Sequence, residues 1–98
     1  MKITASISGG FAGISESYQI DTTKNPSEAA RSLESALEKI GFFEHKKALQ
    51  PDLVGADMMR WTIEVSDGQR RNTVSFVEDG SAGISEWRNL IDKIKALA

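Results

Sequence analysis

The chain contains no cysteine, so no disulfide can brace it and no thiolate can hold a metal. It contains one histidine, His45, which excludes a multi-histidine metal site. Its two prolines, Pro26 and Pro51, leave long stretches free for regular structure. No long apolar run is present: Met1 to Ile7 reaches glycines too soon for a signal peptide or a membrane span, and a reducing cytoplasm is the expected compartment. Neither charge sign dominates, since 12 Lys and Arg face 14 Asp and Glu. Such a chain offers no field for a phosphate backbone, so neither nucleic acid nor membrane is an expected partner. The 98 residues form one expected domain, 1–98, which at this size hides about two thirds of its unfolded surface.

What is present reads as an ordered series of elements. Ile3, Ala5 and Ile7 alternate with polar residues, and Ile14, Tyr18 and Ile20 continue that period beyond the loop Ser8 to Gly13. Pairing Ile7 with Ile14 and Ile3 with Tyr18 gathers the apolar groups on one face, while Glu16 interrupts the pattern and marks an edge strand. Asp21 to Asn25 is a polar connector. Asn25 as N-cap, Pro26 as first residue and Glu28 at capping-box spacing open a helix with a stripe of Ala29, Ala30, Leu33, Ala36, Leu37 and Ile40, closed by Gly41.

Phe42 and Phe43 are expected to pin the chain to the core, and the aperiodic stretch to Asp57 reads as a long exposed loop. Met59, Trp61, Ile63 and Val65 then alternate up to Asp67-Gly68, and Val74 and Phe76 follow. A two-residue turn there pairs Trp61 with Val74 and Met59 with Phe76. After the glycine-bearing loop Glu78 to Gly83, Ser85 is expected to cap a helix buried along Trp87, Leu90, Ile91, Ile94 and Leu97. Ala-Gly-Ile-Ser-Glu occurs at residues 12–16 and 82–86, at non-equivalent points, and carries no repeat architecture.

The expected fold is therefore α+β, in the order ββαββα, with both helices on one face of a four-stranded antiparallel sheet. If every element reverses its predecessor, Ser8 to Gly13, Phe42 to Asp57 and Glu78 to Gly83 share one end. The other end takes Asp21 to Asn25, the Asp67-Gly68 turn and both termini. The loops with exposed apolar groups and glycines make the first end the place to look for function.

Little in the chain supports enzymatic chemistry. His45 lies beside Lys46 and Lys47 in a polar stretch and reads as a solvated loop residue, and Glu34, Glu38 and Lys39 read as the wet side of a helix. Ser8-Gly-Gly-Phe-Ala-Gly lacks the lysine and hydroxyl of a phosphate loop and leads into a strand. A binding module is what remains. Phe11 is either folded over the edge of the core or an aromatic anchor on a slim backbone.

Ser8 to Gly13, followed by an alternating strand ending in Asp21, and Gly55-Ala-Asp57, leading into an aromatic-bearing strand with a hairpin turn, together resemble the emfourin family over nearly the whole chain. Its members are bacterial proteinaceous inhibitors of thermolysin-family metalloproteases, chiefly protealysin-like enzymes. Met59 and Trp61 stand where the resemblance leads one to expect Phe and Tyr, a core difference that leaves the inhibitory reading intact.

What the resemblance implies is a monomer, without a cofactor of its own, that blocks a zinc peptidase. Such an enzyme keeps an open metal position beside an apolar pocket, so a competitor needs a carboxylate and a greasy side chain. Gly10, Phe11, Ala12, Leu53 and Val54 are the candidate pocket contacts. Asp57 is the first candidate for the target's zinc because it ends a loop beside a strand, with Asp79 and Asp52 as alternatives. Plainer roles stay open beside these: Asp57 as a strand-entry residue bonding nearby amides, Leu53 and Val54 packed under their own loop, and the whole chain as a non-inhibitory interaction or regulatory module.

Overall fold

The computed structural model describes residues 1–9, 16–24, 26–45, 59–77 and 84–98. The elements are β1 (Lys2–Gly9), β2 (Glu16–Asp21), α1 (Glu28–Ile40), a 3-10 turn (Phe42–Glu44), β3 (Met59–Ser66), β4 (Arg71–Val77) and α2 (Ser85–Leu97). The strands form one antiparallel sheet in the order β2-β1-β3-β4. This is the α+β architecture that the alternation predicts, and β2, interrupted by Glu16, stands at an edge.

The period of two separates the faces of the sheet. Ile3, Ala5, Ile20, Trp61, Ile63, Val65, Val74 and Phe76 are buried and share one face. Ala30, Leu33 and Leu37 of α1 and Trp87, Leu90, Ile91 and Ile94 of α2 cover that face, each buried aliphatic side chain contributing about 1.5–3 kcal/mol. Ala29, expected in the α1 stripe, is exposed. The opposite face is polar. Ser17, Ser6, Thr62 and Ser75 stand in one row across all four strands, with the Thr62 and Ser75 hydroxyls 3.2 Å apart.

Both hairpins differ from the expected register by two residues. Ile3 pairs with Ile20, Ala5 with Tyr18 and Ile7 with Glu16, not Ile7 with Ile14. Likewise Trp61 pairs with Phe76 and Ile63 with Val74. A slip of two keeps every side chain on its own face, so the hydrophobic pattern alone does not distinguish the two registers. The turn decides the second hairpin. It holds four residues, Asp67 to Arg70, because the Asp67 carboxylate accepts the N–H groups of Gln69 (3.0 Å) and Arg70 (2.6 Å) while Gly68 takes a φ of +95°.

The helix ends follow the same local chemistry. Ser27, not Asn25, caps α1: its Oγ accepts the Ala30 N–H at 3.1 Å, and Glu28 is the first helical residue instead of a capping-box partner. Asn25 itself lies outside the described residues. Gly41 ends α1 at φ +68°, the left-handed closure its position predicts. α2 has no side-chain cap; Ser85 is its first residue and buried Ile84 precedes it.

Two expectations about the ends of the molecule need correction. Phe42 to His45 does not sit at the end of the sheet that holds Gly9 and Glu16. The Phe42 carbonyl is bonded by Asn72, which pairs with Val65 next to the Asp67 turn. Nor do both termini share an end. The Met1 amine bonds Thr23 beside the end of β2, whereas the Lys95 ammonium of the last α2 turn lies over the rings of Tyr18 and Trp61, which pair with Ala5 and Ile7. The pattern of alternation assumes helices antiparallel to the strands, and here they cross the sheet from one edge to the other.

Replacing Ser27 by Ala is expected to cost about 1 kcal/mol in urea unfolding, the usual loss on removing an N-cap hydroxyl. The Asp67 carboxyl, held down to about 2 by the N–H groups of Arg70 and Gln69 and by the Arg70 guanidinium, gives a second expectation. Because its folded value lies below the unfolded one, its stabilisation is fully present above about pH 4 and disappears as pH falls toward 2. Asp67→Asn should flatten that part of a stability–pH curve measured by thermal unfolding.

Candidate functional site

The register brings four chain ends to one end of the sheet. Gly9 pairs with Met59 and Ile7 with both Glu16 and Trp61, while Arg60 pairs with Val77. Residues 10–15 are therefore bounded on both sides at this end, 46–58 are bounded there by Met59, and 78–83 by Val77. At its other boundary, His45, the segment 46–58 departs from the edge of β4 near the Asp67 turn. Of the three expected loops, 10–15 thus has both of its boundaries at this end, whereas 46–58 has one boundary there and the other near the Asp67 turn.

Every candidate contact residue falls in these segments. Gly10, Phe11, Ala12, Asp52, Leu53, Val54, Asp57 and Asp79 lie outside the described residues. What the structure supplies is the frame around them.

That frame has its own chemistry. Trp61, two residues inside β3, is 2% exposed, and among the described residues its buried indole N–H has no hydrogen-bond partner. An orphaned donor of this kind costs about 1–3 kcal/mol. Tyr18 tilts against Trp61 with ring centroids 6.5 Å apart, and the Lys95 ammonium stands 5.1 Å from the Trp61 centroid, an attractive arrangement over the ring face. The Tyr18 hydroxyl donates to the Glu16 carboxylate at 2.9 Å, and this bond, with some desolvation and the carboxylate's charge, raises the phenol above its ordinary value. Glu16 breaks the apolar alternation of β2, and the bond to Tyr18 accounts for that break.

The far end carries ion pairs of its own. Arg70 meets Asp67 and Glu38, each at 2.9 Å, and Arg71 meets Glu64 at 2.9 Å. All are exposed enough for water to screen them, so they orient more than they stabilise. Among the described residues no group of three or more His, Cys, Asp or Glu could hold a metal ion.

Sequence comparison decides what this frame belongs to. A family model described as Emfourin matches residues 5–95, nearly the whole chain. The chain belongs to the emfourin family. No curated protein and no solved structure matches it. The emfourin family is an inhibitor family, which gives the chain a protease-inhibitor role and a protease as partner. The match spans β1 through most of α2, so the described frame and the three segments it bounds all belong to the emfourin unit.

Sequence reasoning missed two parts of this frame. The apolar alternation places Trp61 and Phe76 in the core but gives no sign that the indole has no acceptor among the described residues. Lys95 over two aromatic rings was equally hidden, since a lysine in a final helical turn reads as solvated charge.

Trp61→Phe removes the orphaned N–H at little cost in shape and is expected to change unfolding free energy by less than about 1.5 kcal/mol. Trp61→Ala should cost about 3–5 kcal/mol in the same denaturation measurement.

Proposed function

We propose that the protein inhibits thermolysin-like, protealysin-like zinc metalloproteases by occupying the active-site cleft with segments at the Gly9–Met59 end of the sheet. The observation that carries this reading is the emfourin match over residues 5–95. The register supports it by bounding residues 10–15 at the same end as Met59 and Val77.

In this mechanism Phe11, flanked by Gly10 and Ala12, and Leu53 with Val54 supply apolar groups for substrate pockets, each worth roughly 1.5–3 kcal/mol when buried. A carboxylate, Asp57 first and Asp79 or Asp52 otherwise, approaches the open coordination position of the target's zinc. Oxygen ligands suit that metal, and a carboxylate there displaces the water the protease needs as nucleophile. A rigid sheet behind the contacting segments keeps them from threading through the cleft as substrate. The inhibitor acts as a single domain, 1–98, and as a monomer in the bacterial cytoplasm.

Titration of a thermolysin-like protease with the protein is expected to abolish peptidase activity at a stoichiometric ratio. An unchanged activity at excess protein overturns the reading in favour of a non-inhibitory interaction module. Phe11→Ala, Asp57→Ala and Asp79→Ala, each verified as folded by circular dichroism, locate the contact. Loss of one buried apolar group weakens inhibition roughly tenfold to a hundredfold. Three variants as potent as the parent would remove these residues from the interface.

A further inference from the structure

We propose that Asn72 is a positioning residue for inhibition: its side-chain amide fixes the direction in which the chain leaves the fold at His45 and so sets where residues 46–58 begin. The proposal rests on the inhibitory reading above.

Asn72 stands in the core-facing alternation of β4, in phase with buried Val74 and Phe76. An amide in such a place needs partners for its hydrogens. It has two, because its Nδ2 donates to the Phe42 carbonyl at 2.8 Å and to the His45 carbonyl at 3.0 Å. Those carbonyls bracket the 3-10 turn, whose own bond from the His45 N–H to the Phe42 carbonyl measures 3.3 Å. One side chain thus closes the turn on both sides.

The surrounding groups hold the same piece of chain from other directions. Trp87 of α2 packs against Phe42 with centroids 6.0 Å apart and against the His45 ring, nearly edge-on, at 5.0 Å. The Arg70 guanidinium, tied to Glu38 and Asp67, covers the Phe43 ring at 4.2 Å.

Core burial alone requires none of Asn72's polarity, since Phe42 is fully buried on its own account and a valine would suit the strand. What the amide adds is direction. A peptide unit is planar, so holding the His45 carbonyl fixes the plane in which the chain leaves His45. Fixing the root of a binding segment beforehand spares backbone ordering on association.

The test compares Asn72→Ala and Asn72→Thr with Thr22→Val. Thr22 is buried where Asn72 is half-buried, and its hydroxyl bonds the Met1 carbonyl at 3.2 Å and Glu34 at 2.7 Å, at the junction of β2 and α1. Asn72→Thr retains a residue that strands favour, so it keeps the comparison open if the alanine variant folds poorly. Both Asn72 variants are expected to speed amide exchange at Glu44 and His45. They should also weaken inhibition of a thermolysin-like protease about tenfold through faster dissociation. Thr22→Val should lower the melting temperature without moving the inhibition constant. The proposal is overturned if the Asn72 variants inhibit like the parent, if exchange at Glu44 and His45 is unchanged, or if Thr22→Val weakens inhibition equally. Failure of the parent protein to inhibit would instead overturn the functional reading, and the exchange data would still report on the clamp.

Discussion

The pairing of β1 on both of its sides is the constraint from which the rest of the molecule follows. β1 carries Ile3 and Ala5 into the core and, through its bonds to β2 and β3, fixes Gly9, Glu16 and Met59 at one end of the sheet. β1 and β3 are far apart in sequence, so their pairing closes a long stretch of chain and depends on buried apolar area to offset the entropy lost. The helices supply that area. Leu33 and Leu37 from one, and Leu90 and Ile94 from the other, are sealed against Ile3, Ile63, Val65 and Val74 in a single cluster.

Trp87 then joins the covered sheet to the chain that enters the second half of the fold. It contacts Phe76 on β4, Phe42 after α1 and the His45 ring. The exit at His45 is therefore tied to the core by aromatic packing and to the strand by the Asn72 amide, two interactions with different dependence on geometry. Aromatic contact tolerates sliding, whereas the paired hydrogen bonds do not.

The architecture was legible because its signals have clear periods. Strand alternation, the stripe Leu33, Leu37 and Ile40, and a glycine after Ile40 each identify one element by a local physical rule. Registers were less legible, because a shift of two residues leaves the apolar face intact and only the hydrogen bonds of the Asp67 side chain select a four-residue turn over a shorter one. The cap of α1 was ambiguous for a similar reason: Asn25 and Ser27 are both good capping residues, and the helix starts where Ser27 satisfies the Ala30 N–H. The oblique run of both helices across the sheet had no local signature at all, since it depends on contacts such as Arg70 with Glu38 between distant parts of the chain. The candidate contact residues were reached through family resemblance and loop chemistry, and the frame constrains them only by where their segments begin and end.

The face of the sheet turned away from both helices has a practical meaning. Its row of hydroxyls, Ser17, Ser6, Thr62 and Ser75, with Thr4 and Thr73 in a neighbouring row, belongs to side chains that the hydrophobic core does not use. Small and polar, these side chains offer positions where a dye or a resin linkage is attached without crowding either helix. Chemistry placed there would leave the helical layer on the other side untouched.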